Sequence, residues 1–118
     1  MNKCISAAVI VAAVGTGAPA KAAEGGPLID ASAFTSLCEG TAVAEQLSCA
    51  SFLGGVYGAT IALGQLVGPP VLCPSRDPSG AELLATFRDY ARRHPPGPDN
   101  TASVWALAAF REAYGCKE

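Results

Sequence analysis

The segment VAEQLSCASFLGGVYGATIALGQL, residues 43–66, reads either as a membrane span or as the longest helix of a small bundle, and the rest of the chain takes its meaning from that choice. No charged residue occurs between Gln46 and Ser75, and Gly68-Pro69-Pro70 supplies a stop. Gly54, Gly55, Gly58 and Gly64 lie inside the run, each costing up to about 1 kcal/mol relative to alanine in a helix interior. Something has to offset that. Gly54, Gly58 and Ala62 fall at i, i+4 and i+8 and form a smooth stripe along which a second helix can approach closely, so packing can return what propensity loses. Such stripes also pair transmembrane helices, but Gln46, Ser48, Ser51, Thr60 and Gln65 dilute the apolar run and Cys49 has a covalent use elsewhere. The segment is therefore read as the central buried helix of a bundle, and Gly58→Leu is expected to overpack its contact at a cost of about 1–3 kcal/mol.

Helical signals flank it and no strand pattern is convincing. Asp30 can cap a short helix ending near Cys38, with Phe34, Leu37 and Cys38 at helical spacing before Glu39-Gly40-Thr41 breaks it. Ser79-Gly80-Ala81-Glu82 is a capping box, in which serine and glutamate satisfy each other's backbone amides. The helix it opens carries Leu83, Leu84, Phe87, Tyr90 and Ala91 on one face. Arg88, Arg92 and Arg93 crowd its C-terminal end, where cations suit the dipole, and His94-Pro95-Pro96-Gly97-Pro98 ends it. A last helix starts near Asp99-Asn100-Thr101, turns Val104, Leu107, Ala108 and Tyr114 to one side with Trp105 and Ala109 beside them, and stops at Gly115 in the C′ position.

Residues 1–22 read as a signal peptide: Lys3 as the basic start, an apolar run from Ile5 to Val14, and A-x-A sites at Ala18-Pro19-Ala20 and Ala20-Lys21-Ala22. Cys4 leaves with it. Residues 23–118 form one domain, and their four cysteines, exported from the cytoplasm, read as two disulfides. Cys38 and Cys49 are roughly equidistant from a turn near residues 40–43 and come level across a helical hairpin. Cys116 returns, in a hairpin turning near Gly97, to the end where the Cys73 loop arrives. Of three connectivities the expected one is Cys38–Cys49 with Cys73–Cys116, contributing about 3 and about 4 kcal/mol by loop closure. The fold class is then an all-α, disulfide-stapled bundle of four to five helices.

Removing Lys3 and Lys21 leaves six basic residues against ten acidic, a net charge of −4 that argues against nucleic acid and anionic lipid as partners. Catalytic groups are scarce. His94 is the single histidine and reads as a helix-end residue; the cysteines are spent as disulfides, and CxxC or paired-histidine metal motifs are lacking. Glu82 and Asp89 read as one solvated helix face. Gly54-Gly55-Val56-Tyr57-Gly58 has neither the lysine of a phosphate loop nor a preceding strand. The three arginines read as a solvated face with some claim to mark a partner surface. The expectation is a non-enzyme without cofactor or metal.

Phe52-Leu53-Gly54-Gly55-Val56 three positions after Cys49, then Cys73-Pro74, His94-Pro95, Ala109-Phe110 and the closing Ala113-Tyr114-Gly115-Cys116 resemble, as an ordered set, the Rap/Tai family of type VI secretion immunity proteins. The resemblance spans Leu28 to Cys116. It implies a periplasmic, all-helical, disulfide-containing and often dimeric inhibitor that occludes a peptidoglycan amidase delivered by neighbouring cells. Two proline-rich loops, Gly68 to Pro78 and Pro95 to Asn100, are preorganised enough to enter a catalytic cleft. Asp77, Pro78, Gly97, Pro98 and Asp99 are the candidate partner-binding residues at their tips. The alternative is a periplasmic chaperone or envelope-stress binding protein whose apolar second helix becomes exposed when the domain loosens.

Overall fold

The computed structural model describes residues 29–117; the signal peptide expected at residues 1–22 lies outside them. Four helices follow in order: α1 Ala31–Cys38, α2 Val43–Leu66, α3 Gly80–Arg93 and α4 Ala102–Tyr114, with no strand among the described residues. The local signals set most of these boundaries. Asp30 Oδ1 accepts from the Ala33 amide at 2.7 Å and starts α1. At α3 both arms of the capping box form, Glu82 N to Ser79 Oγ at 3.1 Å and Ser79 N to Glu82 Oε1 at 2.8 Å. At α2 the Ala42 amide donates to Glu45 Oε1 at 3.2 Å. Gly40 leaves room for that carboxylate, into which any Cβ at residue 40 would run.

Each helix packs against the other three around Phe34, Leu53, Tyr57, Phe87 and Phe110. The rings interlock edge to face: Phe34 on Phe87 with centroids 5.2 Å apart, Tyr57 on Phe110 at 5.9 Å. Such pairs add about 0.5–1.5 kcal/mol beyond the area they bury. Around this core the chain is tied at both ends. Ala31 N donates to Asn100 O at 2.7 Å and Ala102 N to Ile29 O at 2.9 Å, which joins the starts of α1 and α4. At the other end Cys73 N donates to Tyr114 O at 2.7 Å and Cys116 N to Val71 O at 3.3 Å, so the loop after α2 runs beside the end of α4.

Two expectations about helix faces are corrected. First, α2 is not a buried central helix: only Cys49, Leu53 and Tyr57 of its 24 residues are buried. Gly58 and Ala62 face solvent, and a Cβ built on Gly54, Gly55 or Gly58 meets nothing within 4 Å. Among the described residues nothing lies across Gly54 or Gly58, and the overpacking expected of Gly58→Leu has no neighbour there to act on. By length and hydropathy α2 could cross a membrane, but here one face of it is packed into the bundle. Second, α4 buries Ala102, Ala106, Ala109 and Phe110, not the side carrying Val104 and Leu107; Val104 is 62% exposed. Small alanines let α4 sit close to its neighbours, and Phe110 is the one large side chain it buries in the core.

Gly115 ends α4 with φ −62°, so no left-handed conformation calls for glycine there. Crowding does, since a Cβ at Gly115 would collide with the Arg111 carbonyl.

Candidate functional site

α3 sets the geometry of the candidate loops. The loop holding Asp77 and Pro78 precedes it, and the loop holding Gly97, Pro98 and Asp99 follows it. Fourteen helical residues separate them, about 21 Å at 1.5 Å per residue. The structure thus does not bring the two tips together.

The two loops are held differently. In the loop after α3, Asn100 Oδ1 accepts from Gly97 N at 2.8 Å, and Asn100 N donates back to Gly97 O at 3.2 Å. The Asn100 carbonyl is engaged by α1, and Asp30 pairs with Thr101, so this end of the bundle is bound to the start of α1. Pro98 and Asp99 are exposed on it and Gly97 is half-buried.

The loop between α2 and α3 is longer and solvent-exposed over Pro69 to Val71 and Ser75 to Asp77, with buried or half-buried anchors at Leu72, Pro74 and Pro78. The exposed Asp77 carboxylate lies 3.5 Å from the Tyr57 hydroxyl, and Pro78 is half-buried. Burial, with Asp77 next in effect, pushes the Tyr57 phenol up from its ordinary value, so it remains a neutral donor. Arg76 grips Glu82 through two bonds of 3.0 and 2.6 Å. That guanidinium, with the Ser79 amide, holds the Glu82 carboxyl down to about 2. Tyr114 reaches α3 by a 3.0 Å bond between its hydroxyl and that of Thr86.

Both sulfur pairs lie at bonding distance: Cys38–Cys49 at 2.09 Å with Cα atoms 5.2 Å apart, and Cys73–Cys116 at 1.99 Å with Cα atoms 4.8 Å apart. These are the pairs to which the hairpin argument leads. Their surroundings differ. Cys38 and Cys49 are fully buried, whereas Cys73 is exposed and its bridge fastens the α2–α3 loop to the end of α4.

The arginines at the end of α3 are spent on the fold. Arg88 Nε donates to the Cys38 carbonyl at 2.7 Å, capping α1 across the bundle, and Arg92 meets Glu39 at 3.5 Å. Arg93 bonds Asp89 at 2.7 Å and also Glu112, whose carboxyl it holds below the usual range. His94 closes α3: its amide donates to Tyr90 O at 2.8 Å and its ring lies 4.5 Å from that of Tyr90. Among the described residues no three His, Cys, Asp or Glu side chains gather as a metal site would require.

Sequence reasoning missed a concavity beside the α2–α3 loop. It is an open cleft of about 580 Å³ between Pro70 and Val71 on one wall and Leu107, Arg111 and Lys117 on the other. The Cys73–Cys116 bridge, once drawn, was the available signal, because it brings a C-terminal pair of cations to an apolar loop. No curated protein and no solved structure matches this chain. The family model of the Rap1a immunity proteins does match, over residues 30–116, which includes all four helices and both cysteine pairs. The chain accordingly belongs to the Rap1a immunity protein family.

Proposed function

We propose that this chain is a periplasmic immunity protein of type VI secretion that binds a peptidoglycan amidase delivered by neighbouring cells and occludes its catalytic cleft, with no hydrolase activity of its own. The observation that carries the reading is membership of an immunity family across residues 30–116. The shape of the α2–α3 loop supports occlusion: it is proline-rich, covalently tethered at Cys73 and anchored at Tyr57 and Glu82, so little conformational entropy is lost when it docks. Asp77 and Pro78 at that end are the first candidates for contact, with Gly97, Pro98 and Asp99 at the far end the second.

Periplasmic co-expression with each amidase encoded near this gene tests the reading. A cognate amidase should be toxic alone and harmless in the presence of this protein, and the purified pair should show stoichiometric inhibition. Replacing the loop tips one end at a time, at Asp77 and then at Asp99, should weaken inhibition at one end only. Toxicity that persists despite soluble, folded protein would overturn occlusion. A second reading, an envelope-stress binder or chaperone, is favoured by Val43, Leu47, Leu63, Leu66 and Val67, which stand exposed along and just beyond α2 without any loosening of the domain. It predicts suppression of aggregation of unrelated unfolded proteins and no effect on any amidase.

A further inference from the structure

Six basic residues lie in the described part of the chain, and four of them are engaged. Arg76 binds Glu82, Arg88 caps α1, Arg92 meets Glu39, and Arg93 is held by Asp89 and Glu112. Arg111 and Lys117 have no carboxylate partner among the described residues, both are exposed, and both line the same cleft of about 580 Å³. In a chain of net charge −2 these two cations, unpaired among the described residues, have thus been brought to one concavity. Its opposite wall is apolar and well fixed. Pro70 and Val71 are held against the end of α4 by the Cys116 N to Val71 O bond, by the Leu72–Gly115 bridge and by the Cys73–Cys116 disulfide, while Leu107 of α4 adds an aliphatic side chain to the lining across from them.

We infer that this cleft receives an acidic loop of the effector protein, with a carboxylate set between Arg111 and Lys117 and an adjacent apolar side chain against Val71 and Leu107. The inference rests on the immunity reading for the identity of the partner. The chemistry is that of charge-assisted hydrogen bonds, in which guanidinium and ammonium together bind one carboxylate and the apolar wall beside them favours an aliphatic neighbour. The cleft adjoins the α2–α3 loop, so the loop and the cleft would engage one effector surface together. Electrostatic pairing of this kind also speeds encounter and makes it salt-dependent.

The test has two arms. In the first, the acetylated, amidated tripeptide Glu-Leu-Glu is titrated into the labelled protein and followed by amide chemical shifts. Val71, Leu107, Gly115 and Lys117 should move together, and an Arg111→Gln/Lys117→Gln variant should abolish the movement. In the second, the amidase neutralised in co-expression is titrated against the wild type, the double variant and an Arg92→Gln control. The double variant should bind at least about tenfold more weakly and lose most of its salt dependence, whereas the control should match the wild type. Both substituted side chains are exposed, and an unchanged melting temperature verifies the fold. If the peptide moves no cleft amide, the carboxylate site is overturned. If the peptide binds but the amidase is indifferent to the double variant, the effector contact is overturned. If the peptide binds and no amidase binds even the wild type, the immunity reading and the effector contact fall while the carboxylate site stands.

Discussion

Replacing Gly58 by alanine should stabilise this protein, although Gly58 sits in the most regular small-residue pattern of the chain. Glycine inside a helix costs about 1 kcal/mol relative to alanine, because it loses more backbone freedom on folding. The gain is realised only if the new methyl group meets no obstacle. A Cβ on Gly58 has no atom within 4 Å beyond its own helix, and residue 58 lies deep within α2, far from either frayed end. Gly58→Ala should therefore raise the stability by about 1 kcal/mol, which for a domain of this size is a melting temperature higher by about 4–8 °C. Gly58→Leu should give a gain within a few tenths of a kcal/mol of this, since leucine is also a good helix former and an exposed side chain overpacks nothing. Gly64→Ala is the control: there a Cβ would lie 3.0 Å from the Pro70 Cα, so crowding against the loop backbone should cancel the gain. Thermal and urea denaturation of the protein, followed by circular dichroism, measure all three. A loss of 1 kcal/mol or more in Gly58→Leu, with Gly58→Ala unharmed, would refute the reasoning, because it would mean that something covers the stripe in solution.

Phe110→Ala should cost about 3–5 kcal/mol by denaturation, because the ring is fully buried and stacks edge-on against Tyr57. Mass spectrometry of the non-reduced, protease-digested protein should recover the peptide pairs Cys38–Cys49 and Cys73–Cys116; free thiols at either pair would contradict the fold. Limited reduction should open Cys73–Cys116 first, since Cys38 and Cys49 are fully buried. The Glu82 carboxyl, lowered to about 2 chiefly by Arg76, should contribute stability that is complete above its unfolded value near 4.5 and lost as pH falls toward 2. Glu82→Gln should flatten the fall in melting temperature across that window, and an unchanged pH profile would show that the Arg76 pair carries no weight.

Sequence by itself determined the all-helical class and most helix boundaries, because these rest on short-range chemistry. Asp30 three residues before the amide it accepts, and Ser79 three before Glu82, can be read as caps without any tertiary information. The disulfide pairs were legible for a related reason: two helical hairpins with short turns leave few ways for four cysteines to meet. The inner face of α3 was legible too, as Leu83, Leu84, Phe87 and Ala91, but only the tertiary structure decided which faces of α2 and α4 look inward. Apolar and small residues ring α2 on every side, so no periodicity marks its inner face, and a glycine stripe looks the same whether a neighbour lies across it or water does. On α4 the larger Val104 and Leu107 outweigh three alanines in any reading by hydrophobicity, yet close helix approach favours the small side. The cleft was hidden for a further reason. Arg111 and Lys117 look like ordinary C-terminal surface cations until the Cys73–Cys116 bridge, closing 43 residues of chain, sets the Pro70–Val71 wall opposite them.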